Sequence, residues 1–385
     1  MGDSLTIAGS LAQRPGHAGH TWVFLQYLLG FRRLGWEVFF VDRLEPEMCI
    51  DRSGNPAPLE SSFNLTYTAE VMERFGLAGR WAVVYDGGRE MVGATREEVV
   101  ETVRSSALLM NVMGFLDDEE ILAAAPLRVF LDIDPGFPHM WQELGLARPF
   151  DGHDRYVTVG ERIGASDCEI PTCGIDWRTT KPPVELAEWP DTPAKGGGFT
   201  TVASWRGPFG PIEYRGRTYG LRVHEFRRFV ELPERTGEPF EVALDIDDAD
   251  GEDRQRLERY GWSLADPRQI AGDPWRYREY VQRSAAELMV AKNLYVDTRS
   301  GWFSDRSACY LASGRPVLAQ DTGLDGLLPS GEGLITFSTL DEAAAGAEEI
   351  TRDYRRHSRE AREIAAEHFA ADRVLPRMLD NLGVR

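Results

Sequence analysis

Short continuous runs of apolar residues, typical of buried strands, alternate with amphipathic stretches along the chain. The apolar run at 5–11 predicts a strand, and apolar residues then recur at helical spacing over 22–34. Gly35 ends that helical pattern, and a second apolar run at 38–41 predicts the next strand. The order strand, helix, strand predicts a βαβ unit, from which parallel sheets covered by helices are built.

The same alternation continues to the C-terminus. Further strands are predicted at 82–85, 108–112, 129–133, 156–159, 199–203, 240–244, 294–296 and 316–319. Helices are predicted at 95–104, 118–124, 223–232, 274–291, 305–312 and most of 340–369. The chain therefore predicts an α/β fold.

The chain has 385 residues, which exceeds the usual size of one domain. Four prolines and three glycines fall within 181–198, a composition typical of a linker. We place an N-terminal domain at 1–185 and a C-terminal domain at 199–370. We expect the tail at 371–385 to return to the N-terminal domain. Ligands are expected in the cleft between the strand ends.

The formal net charge is −19, and Arg supplies nearly all of the positive charge because only three lysines occur. A surface this acidic repels phosphate backbones and anionic membranes, so it predicts no nucleic-acid partner and no membrane partner. An anion bound by side chains is expected to meet a guanidinium. The polar, acidic start at 1–6 lacks the features of a secretory signal, and we expect a cytoplasmic protein.

The segment Ser300–Gly301–Trp302–Phe303–Ser304–Asp305–Arg306 has the pattern of a small-residue turn that opens a helix. Free backbone N–H groups and the positive end of a helix dipole both favour an anion at such a position. Arg306 adds positive charge there. The alternative is that Ser304 and Asp305 only cap the helix, as similar residues do at most helix starts.

This segment, with 310–318 (YLASGRPVL), 320–323 (QDTG) and the N-terminal helix 22–30 (WVFLQYLLG), resembles the GT-B-fold glycosyltransferases. The resemblance implies two Rossmann-like domains with parallel sheets facing across a cleft. It implies that the C-terminal domain binds a nucleoside diphosphate-sugar and that the N-terminal domain binds the acceptor. It also implies that neither a metal nor another cofactor is needed.

Carried over by position, the resemblance implies the following donor-binding residues: Ser204, Trp205, Arg206, Ser300, Gly301, Trp302, Phe303, Ser304, Asp305, Arg306, Gln320, Asp321, Thr322 and Gly323. The chain departs from the family at two places. Cys309 stands near the position where retaining members often have a ribose-binding glutamate. Arg299 and Ser300 stand where many inverting members have His-Cys. The nucleotide and the stereochemical course therefore stay open.

In the N-terminal domain, the loop at 16–20 follows the first strand. His17 suits a general base, since a histidine pKa lies near neutrality, and Asp134 at the end of a strand is a candidate orienter or base. Gly16, His20 and Phe137 are candidate acceptor contacts. The alternative for both histidines is an ordinary surface loop.

Asp132 and Asp134 also match the Asp-x-Asp pattern with which glycosyltransferases of another fold hold a divalent metal, but Asp245 and Asp247 repeat it in the same chain. The resemblance implies an enzyme that moves a sugar from a nucleoside diphosphate-sugar, with UDP- and dTDP-sugars as the candidate donors. The acceptor is a hydroxyl or amine of a small molecule, for example a bacterial natural product. The alternatives are a non-catalytic nucleotide-sugar-binding protein and a nucleotide-sugar epimerase, because a fold alone does not establish activity.

Overall fold

The structure, a computed structural model, describes residues 3–192, 196–207 and 209–384. Three residues of the predicted linker, 193–195, lie outside the described residues. The first half of the molecule (4–179) is built on a sheet with the strands β1 (Ser4–Gly9), β2 (Glu37–Leu44), β3 (Trp81–Tyr85), β4 (Glu90–Val92), β5 (Leu109–Val112), β6 (Arg128–Asp132), β7 (Arg155–Thr158) and β8 (Trp177–Thr179).

The strand order of this sheet is β4-β3-β2-β1-β5-β6-β7-β8, and every neighbouring pair is parallel except β3 and β4. Its helices are α1 (Ala18–Arg33), α2 (Phe63–Arg74), α3 (Arg96–Ser105), α4 (Glu119–Ala124) and α5 (Phe137–Glu143). Short 3-10 turns lie at Pro46–Met48, Leu59–Ser61 and Asp86–Gly88.

The second half (199–364) contains a second parallel sheet and a small hairpin. Its strands are β9 (Phe199–Ser204), β10 (Ile212–Tyr214), β11 (Arg217–Tyr219), β12 (Phe240–Asp245), β13 (Ser263–Ala265), β14 (Ala286–Met289), β15 (Val317–Gln320) and β16 (Leu334–Phe337). The sheet order is β13-β12-β9-β14-β15-β16, and β10 and β11 pair separately as an antiparallel hairpin.

The remaining helices are α6 (Arg222–Phe226), α7 (Leu232–Thr236), α8 (Gly251–Arg259), α9 (Pro267–Ala271), α10 (Pro274–Arg283), α11 (Asn293–Asp297), α12 (Asp305–Ala312), α13 (Leu340–Arg352), α14 (Tyr354–Ile364) and α15 (Ala371–Leu382). A π-helical turn lies at Ala365–Phe369, and 3-10 turns lie at Arg227–Phe229 and Asp248–Asp250. None of the helices in the described part of the chain has the length and apolar character that crossing a bilayer requires.

Strand order reverses once in each sheet, at β1 beside β5 and at β9 beside β14. In open parallel sheets, ligands bind beyond the carboxyl ends of the strands at such a reversal, because the two outgoing loops diverge there. The loops that follow these four strands therefore define the place to look for a site.

Two predicted elements are wrong. The predicted helix at 274–291 ends at Arg283, and β14 follows it, whereas the predicted strand at 294–296 is part of α11. The charge of Glu287 in the middle of β14 gives the segment the appearance of an amphipathic helix. That carboxylate is fully buried and pairs with Arg306, so a charged residue occupies a central strand.

Aromatic side chains join the two halves beside α1. The indole N–H of Trp22 donates to the carbonyl of Pro274 in the second half at 2.9 Å. Trp189, in the segment between the sheets, lies 4.7 Å from the Trp22 ring and 6.3 Å from the Tyr277 ring. All three aromatic rings are buried, so apolar packing holds the halves together at this point.

The C-terminal helix α15 packs against α1 of the first half, so the chain crosses back after α14. Gly30 of α1 makes this contact close. A Cβ added at Gly30 would lie 2.7 Å from Leu375 Cδ1 and 2.8 Å from Ala371 Cβ. A glycine is therefore required at this position for the two helices to approach this closely.

We expect Gly30→Val to lower the free energy of unfolding by roughly 1–3 kcal/mol, because overpacking pushes α15 off α1. Urea denaturation measures the change. Gly251→Ala, where an added Cβ meets nothing within 4 Å, is the matched control and should leave stability near wild type. Wild-type stability of Gly30→Val would contradict the observed helix contact.

Candidate functional site

Two loops of the second half are bonded to each other beyond β14 and β15. The Gly301 N–H donates to the Thr322 carbonyl at 2.8 Å, and the Thr322 hydroxyl donates to the Trp302 carbonyl at 2.6 Å. The Asp321 carboxylate accepts from the two backbone N–H groups that follow Thr322, both at 2.9 Å. The two main predicted donor segments therefore meet in one place.

Several side chains of these loops are buried and already bonded within the protein. The Gln320 amide accepts from the Ala291 N–H at 3.0 Å and donates to Glu225. The Ser300 hydroxyl donates to a carbonyl of α11 at 3.3 Å, and Phe303 stacks on Phe369. These contacts stabilise the loops. A donor contact by Ser300, Phe303 or Gln320 stays a prediction.

Helix α12 begins where the first loop ends. Ser304 is its N-cap, is buried, and makes no side-chain capping hydrogen bond within the described structure. Asp305 occupies the first turn, and burial raises the pKa of its carboxyl. The N-terminus of α12 therefore combines a positive dipole end with a carboxyl that is easier to neutralise than usual.

Arg306 and the loop after β9 have partners within the protein. Arg306 pairs with Glu287 at 2.5 Å and donates to the Val202 carbonyl at 2.9 Å. In the β9 loop, the Trp205 indole donates to Asp253 at 2.9 Å, Arg206 forms a bidentate pair with Asp250, and the Ser204 hydroxyl lies 3.5 Å from Asp245. The positive charges of Arg306 and Arg206 are therefore paired with carboxylates of the protein in this structure.

Arg222, the first residue of α6, is a cation that the sequence reasoning missed. Its Nε is buried and has no hydrogen-bond partner among the described residues. Burial and the neighbouring Arg306 guanidinium lower the pKa of Arg222 to about 10. A buried donor nitrogen without an acceptor costs free energy, so this position favours an incoming anion.

Lys292 lies between the two halves. Its ammonium contacts both oxygens of Asp134 at 3.0 and 2.8 Å, and lies 5.4 Å from the centre of the Phe137 ring. The Tyr295 hydroxyl also donates to Asp134, and the Tyr295 ring stacks on Trp302. Asp134, Lys292 and Tyr295 thus join the first half to the candidate donor loop.

The two predicted catalytic residues are not bonded to each other in the described structure. Asp134 is bound by Lys292 and Tyr295, whereas His17 lies near Asp245 of the second half. Partial burial and the nearby Arg14 lower the pKa of His17, and Asp245 opposes both effects. A neutral His17 at physiological pH is a competent proton acceptor. Its role as the base stays a prediction.

The three predicted acceptor contacts have distinct environments. Gly16 has a positive φ of 77°, and a Cβ added there would lie 3.3 Å from the Phe63 ring and 3.9 Å from the Gly272 carbonyl of the second half. His20 bonds to Ser10 at 2.8 Å and packs edge-on against Phe24. Phe137 is buried and packs on Phe209, and its helix α5 contacts strand β10 of the hairpin.

The sequence carried some signal for the two missed cations. Lys292 is one of only three lysines in the chain, and Arg222 directly precedes the predicted helix at 223–232. The sequence predicts a helix over 274–291, so Lys292 does not stand at the end of a strand in that prediction. In the structure, Lys292 follows the end of β14. Neither the missing partner of Arg222 nor its burial is visible in a sequence.

The metal alternative at Asp132 and Asp134 has no support in the geometry. Asp132 is fully buried, accepts from the Thr158 hydroxyl at 2.7 Å and from the Asp134 N–H at 3.2 Å, and lies 3.0 Å from His139 Nε2. Asp134 is paired with Lys292. Across the described ranges, no group of three or more His, Cys, Asp or Glu side chains is arranged to hold a metal ion.

No protein-family model and no curated protein matches the chain by sequence. Solved structures match it over nearly its whole length. AviGT4, a glycosyltransferase involved in avilamycin A biosynthesis, has a TM-score of 0.57 and 14% identity, with 98% of this chain and 96% of AviGT4 covered. Anabaena HepE, solved with UDP and glucose, has a TM-score of 0.58 and 12% identity, with 99% of each chain covered.

An alpha-glucosyltransferase solved with UDP and a 13-mer DNA also matches, with a TM-score of 0.58, 12% identity and complete coverage of both chains. The chain therefore has the GT-B fold, and the predicted architecture of two Rossmann-like parallel sheets is confirmed. Identities this low establish the fold alone.

The prediction that excluded a nucleic-acid partner is wrong. Several of the matching structures are alpha-glucosyltransferases in complex with DNA, so this fold accommodates nucleic acid. The error came from the net charge of −19, which describes the whole surface. The local charge of a cleft can differ from the charge of the whole surface, and a local field guides binding.

Acid is expected to destabilise the protein through His20. Burial, with smaller contributions from Arg14 and His17, lowers the pKa of His20 from 6.5 to about 3. The unfolded chain therefore takes up a proton below pH 6.5 that the folded chain refuses, and stability falls as the pH is lowered towards 3.

His20→Gln keeps a hydrogen-bonding side chain but does not titrate. Below pH 6.5 its free energy of unfolding should fall less steeply than that of wild type, by up to about 1 kcal/mol per pH unit. Urea denaturation between pH 7 and 4.5 measures both slopes, and His224→Gln on the exposed surface of α6 controls for the loss of a histidine. Equal slopes for wild type and His20→Gln would contradict the burial of a neutral His20.

Proposed function

We propose that this protein is a glycosyltransferase that moves a sugar from a nucleoside diphosphate-sugar to a hydroxyl or amine of an acceptor. The matching structures support the class of reaction, since AviGT4 and the alpha-glucosyltransferases are glycosyltransferases, and HepE and several alpha-glucosyltransferases were solved with UDP. The donor binds the second half, beyond the carboxyl ends of β9, β14 and β15.

The observation that carries the proposal is the buried Nε of Arg222, which has no hydrogen-bond partner in the described structure. This nitrogen is buried near Arg306 of α12 and Tyr295 of α11. A diphosphate supplies acceptor oxygens and negative charge together, and guanidinium–phosphate pairs are among the stronger charge-assisted hydrogen bonds.

Transfer leaves a nucleoside diphosphate, whose charge grows as the bond to the sugar breaks. Arg222 and the N-terminus of α12 stabilise that charge in the transition state. Lys292 contributes a second cation once an anion competes with Asp134 for its ammonium. These groups supply the electrostatic stabilisation without a metal, and we propose metal-independent transfer.

The acceptor binds the first half, on the side of the cleft that carries Phe137, Gly16 and His17. His17 is the proposed base that removes the proton from the attacking group, and Asp134 sets the position of Lys292 rather than that of His17. A small molecule is the proposed acceptor, as AviGT4 is involved in avilamycin A biosynthesis. DNA is the second candidate, favoured by the alpha-glucosyltransferase complexes.

Arg222→Ala is expected to weaken UDP binding roughly 10- to 100-fold, because a charge-assisted hydrogen bond contributes about 1.5–3 kcal/mol. Isothermal titration calorimetry with UDP measures the affinity. Arg222→Lys should recover part of the loss, since it keeps the charge but not the planar fork. Arg235→Ala, which removes an exposed ion pair with Asp341, is the control and should bind UDP like wild type.

Activity is tested by incubating the protein with UDP-glucose or dTDP-glucose, with either a panel of hydroxyl-bearing small molecules or a duplex that carries an HMU base. Mass spectrometry identifies the glycosylated product. We expect product with one acceptor class and no loss of rate in the presence of EDTA. UDP binding without transfer or donor hydrolysis would indicate the non-catalytic binding protein instead. Inactivation by EDTA would contradict metal-independent transfer.

A further inference from the structure

A loop of the first half, residues 160–169, lies along the candidate donor loop of the second half. Gly160 forms a β-bridge with Trp302. The Arg162 N–H donates to the Ser300 carbonyl at 3.1 Å, and the Glu169 N–H donates to the Thr298 carbonyl at 3.0 Å. We name residues 160–169 the brace, because this stretch of backbone runs beside residues 298–302.

The side chain of Arg162 bonds both the brace and the second donor loop. Its Nε donates to the Gly323 carbonyl at 2.5 Å, and its Nη2 donates to the Asp325 carbonyl at 2.6 Å. Its Nη1 pairs with Asp167 within the brace at 2.8 Å. The guanidinium is mostly buried, with 18% of the side chain exposed. One residue thus connects the first half to both donor loops.

Two glycines of the predicted donor site are explained by this contact. Gly301 and Gly323 both have positive φ, and a Cβ added at either would meet Arg162 at 2.9 Å or 3.0 Å. The absence of side chains at these positions lets Arg162 lie flat against both loops. The close contact with Arg162 therefore explains why glycine stands at both positions, whether or not a phosphate also contacts these loops.

We propose that Arg162 is a positioning residue for the donor site. It does not contact the donor. It fixes the spacing between the loop at 299–303 and the loop at 321–325, so donor affinity depends on a residue of the acceptor-binding half. This inference rests on the proposed function for its effect on affinity, but its effect on the loops is independent of any ligand.

The test compares Arg162→Ala, Arg162→Lys and Arg178→Ala in the full chain. Arg178 is the matched control: its Nε donates to the Asn381 carbonyl at 2.7 Å, away from the donor loops. UDP affinity is measured by calorimetry, and amide hydrogen exchange is followed by mass spectrometry in the free protein. Thermal unfolding establishes that each variant is folded.

We expect Arg162→Ala to weaken UDP binding about 10-fold, from the loss of charge-assisted bonds that order the loops, and Arg162→Lys to weaken it less. Amide hydrogen exchange in free Arg162→Ala should be about 10-fold faster than in wild type within 299–303 and 322–325. Amides in the rest of the chain should exchange as slowly as in wild type. Arg178→Ala should change neither quantity.

The outcomes separate this inference from the proposed function. If wild type binds neither UDP nor dTDP, the proposed function fails, and hydrogen exchange alone decides the role of Arg162. If Arg162→Ala leaves exchange in both loops and UDP affinity within twofold of wild type, the positioning role is overturned. Faster exchange throughout the chain would also overturn it, because that result indicates general destabilisation.

Discussion

A guanidinium that is buried on folding loses the hydration that it had in the unfolded chain. It therefore needs a hydrogen-bond acceptor within the protein or on a ligand. Two largely buried cations of the site have such acceptors within the protein: Arg306 has Glu287 and a strand carbonyl, and Lys292 has Asp134. Arg222 is different, because its Nε has no acceptor in the described structure. A bound anion supplies the acceptor that this buried nitrogen lacks, and its negative charge stabilises the guanidinium.

The other residues of the candidate site surround Arg222 or lie beyond the carboxyl ends of the strands. Arg222 lies close enough to Arg306, in the first turn of α12, for the two charges to interact, so the Arg222 side chain and the N-terminus of α12 act on the same anion. The opposite sheet contributes Asp134, which neutralises Lys292, and Arg162, which bonds both loops. The donor site is therefore built by residues from both halves.

Much of the fold was predictable because hydrophobic periodicity reports burial directly. Strands β1, β6, β9 and β15 and helices α1, α3 and α12 have strong periodic patterns, and the sequence predicted them near their observed bounds. The prediction failed at β14, since the buried Glu287 breaks the pattern of a central strand. An ion pair that compensates a buried charge comes from a distant segment, and periodicity does not contain that information.

The candidate site was predictable in its location but not in its chemistry. The small-residue turn before α12 was visible as Gly301 and Ser304, but the sequence gives no sign that Arg162, over a hundred positions away, lies against Gly301 and Gly323. Arg306 and Arg206 were predicted as phosphate contacts, and both are paired with carboxylates. Partners across a cleft are a property of the fold, so residue type alone cannot separate a free cation from a neutralised one.

A crystal structure of the protein with UDP bound tests the central claim most directly. The account predicts diphosphate oxygens within hydrogen-bonding distance of the Arg222 guanidinium and of the backbone N–H groups that begin α12. A diphosphate bound elsewhere, with the Arg222 Nε still lacking an acceptor, would contradict it.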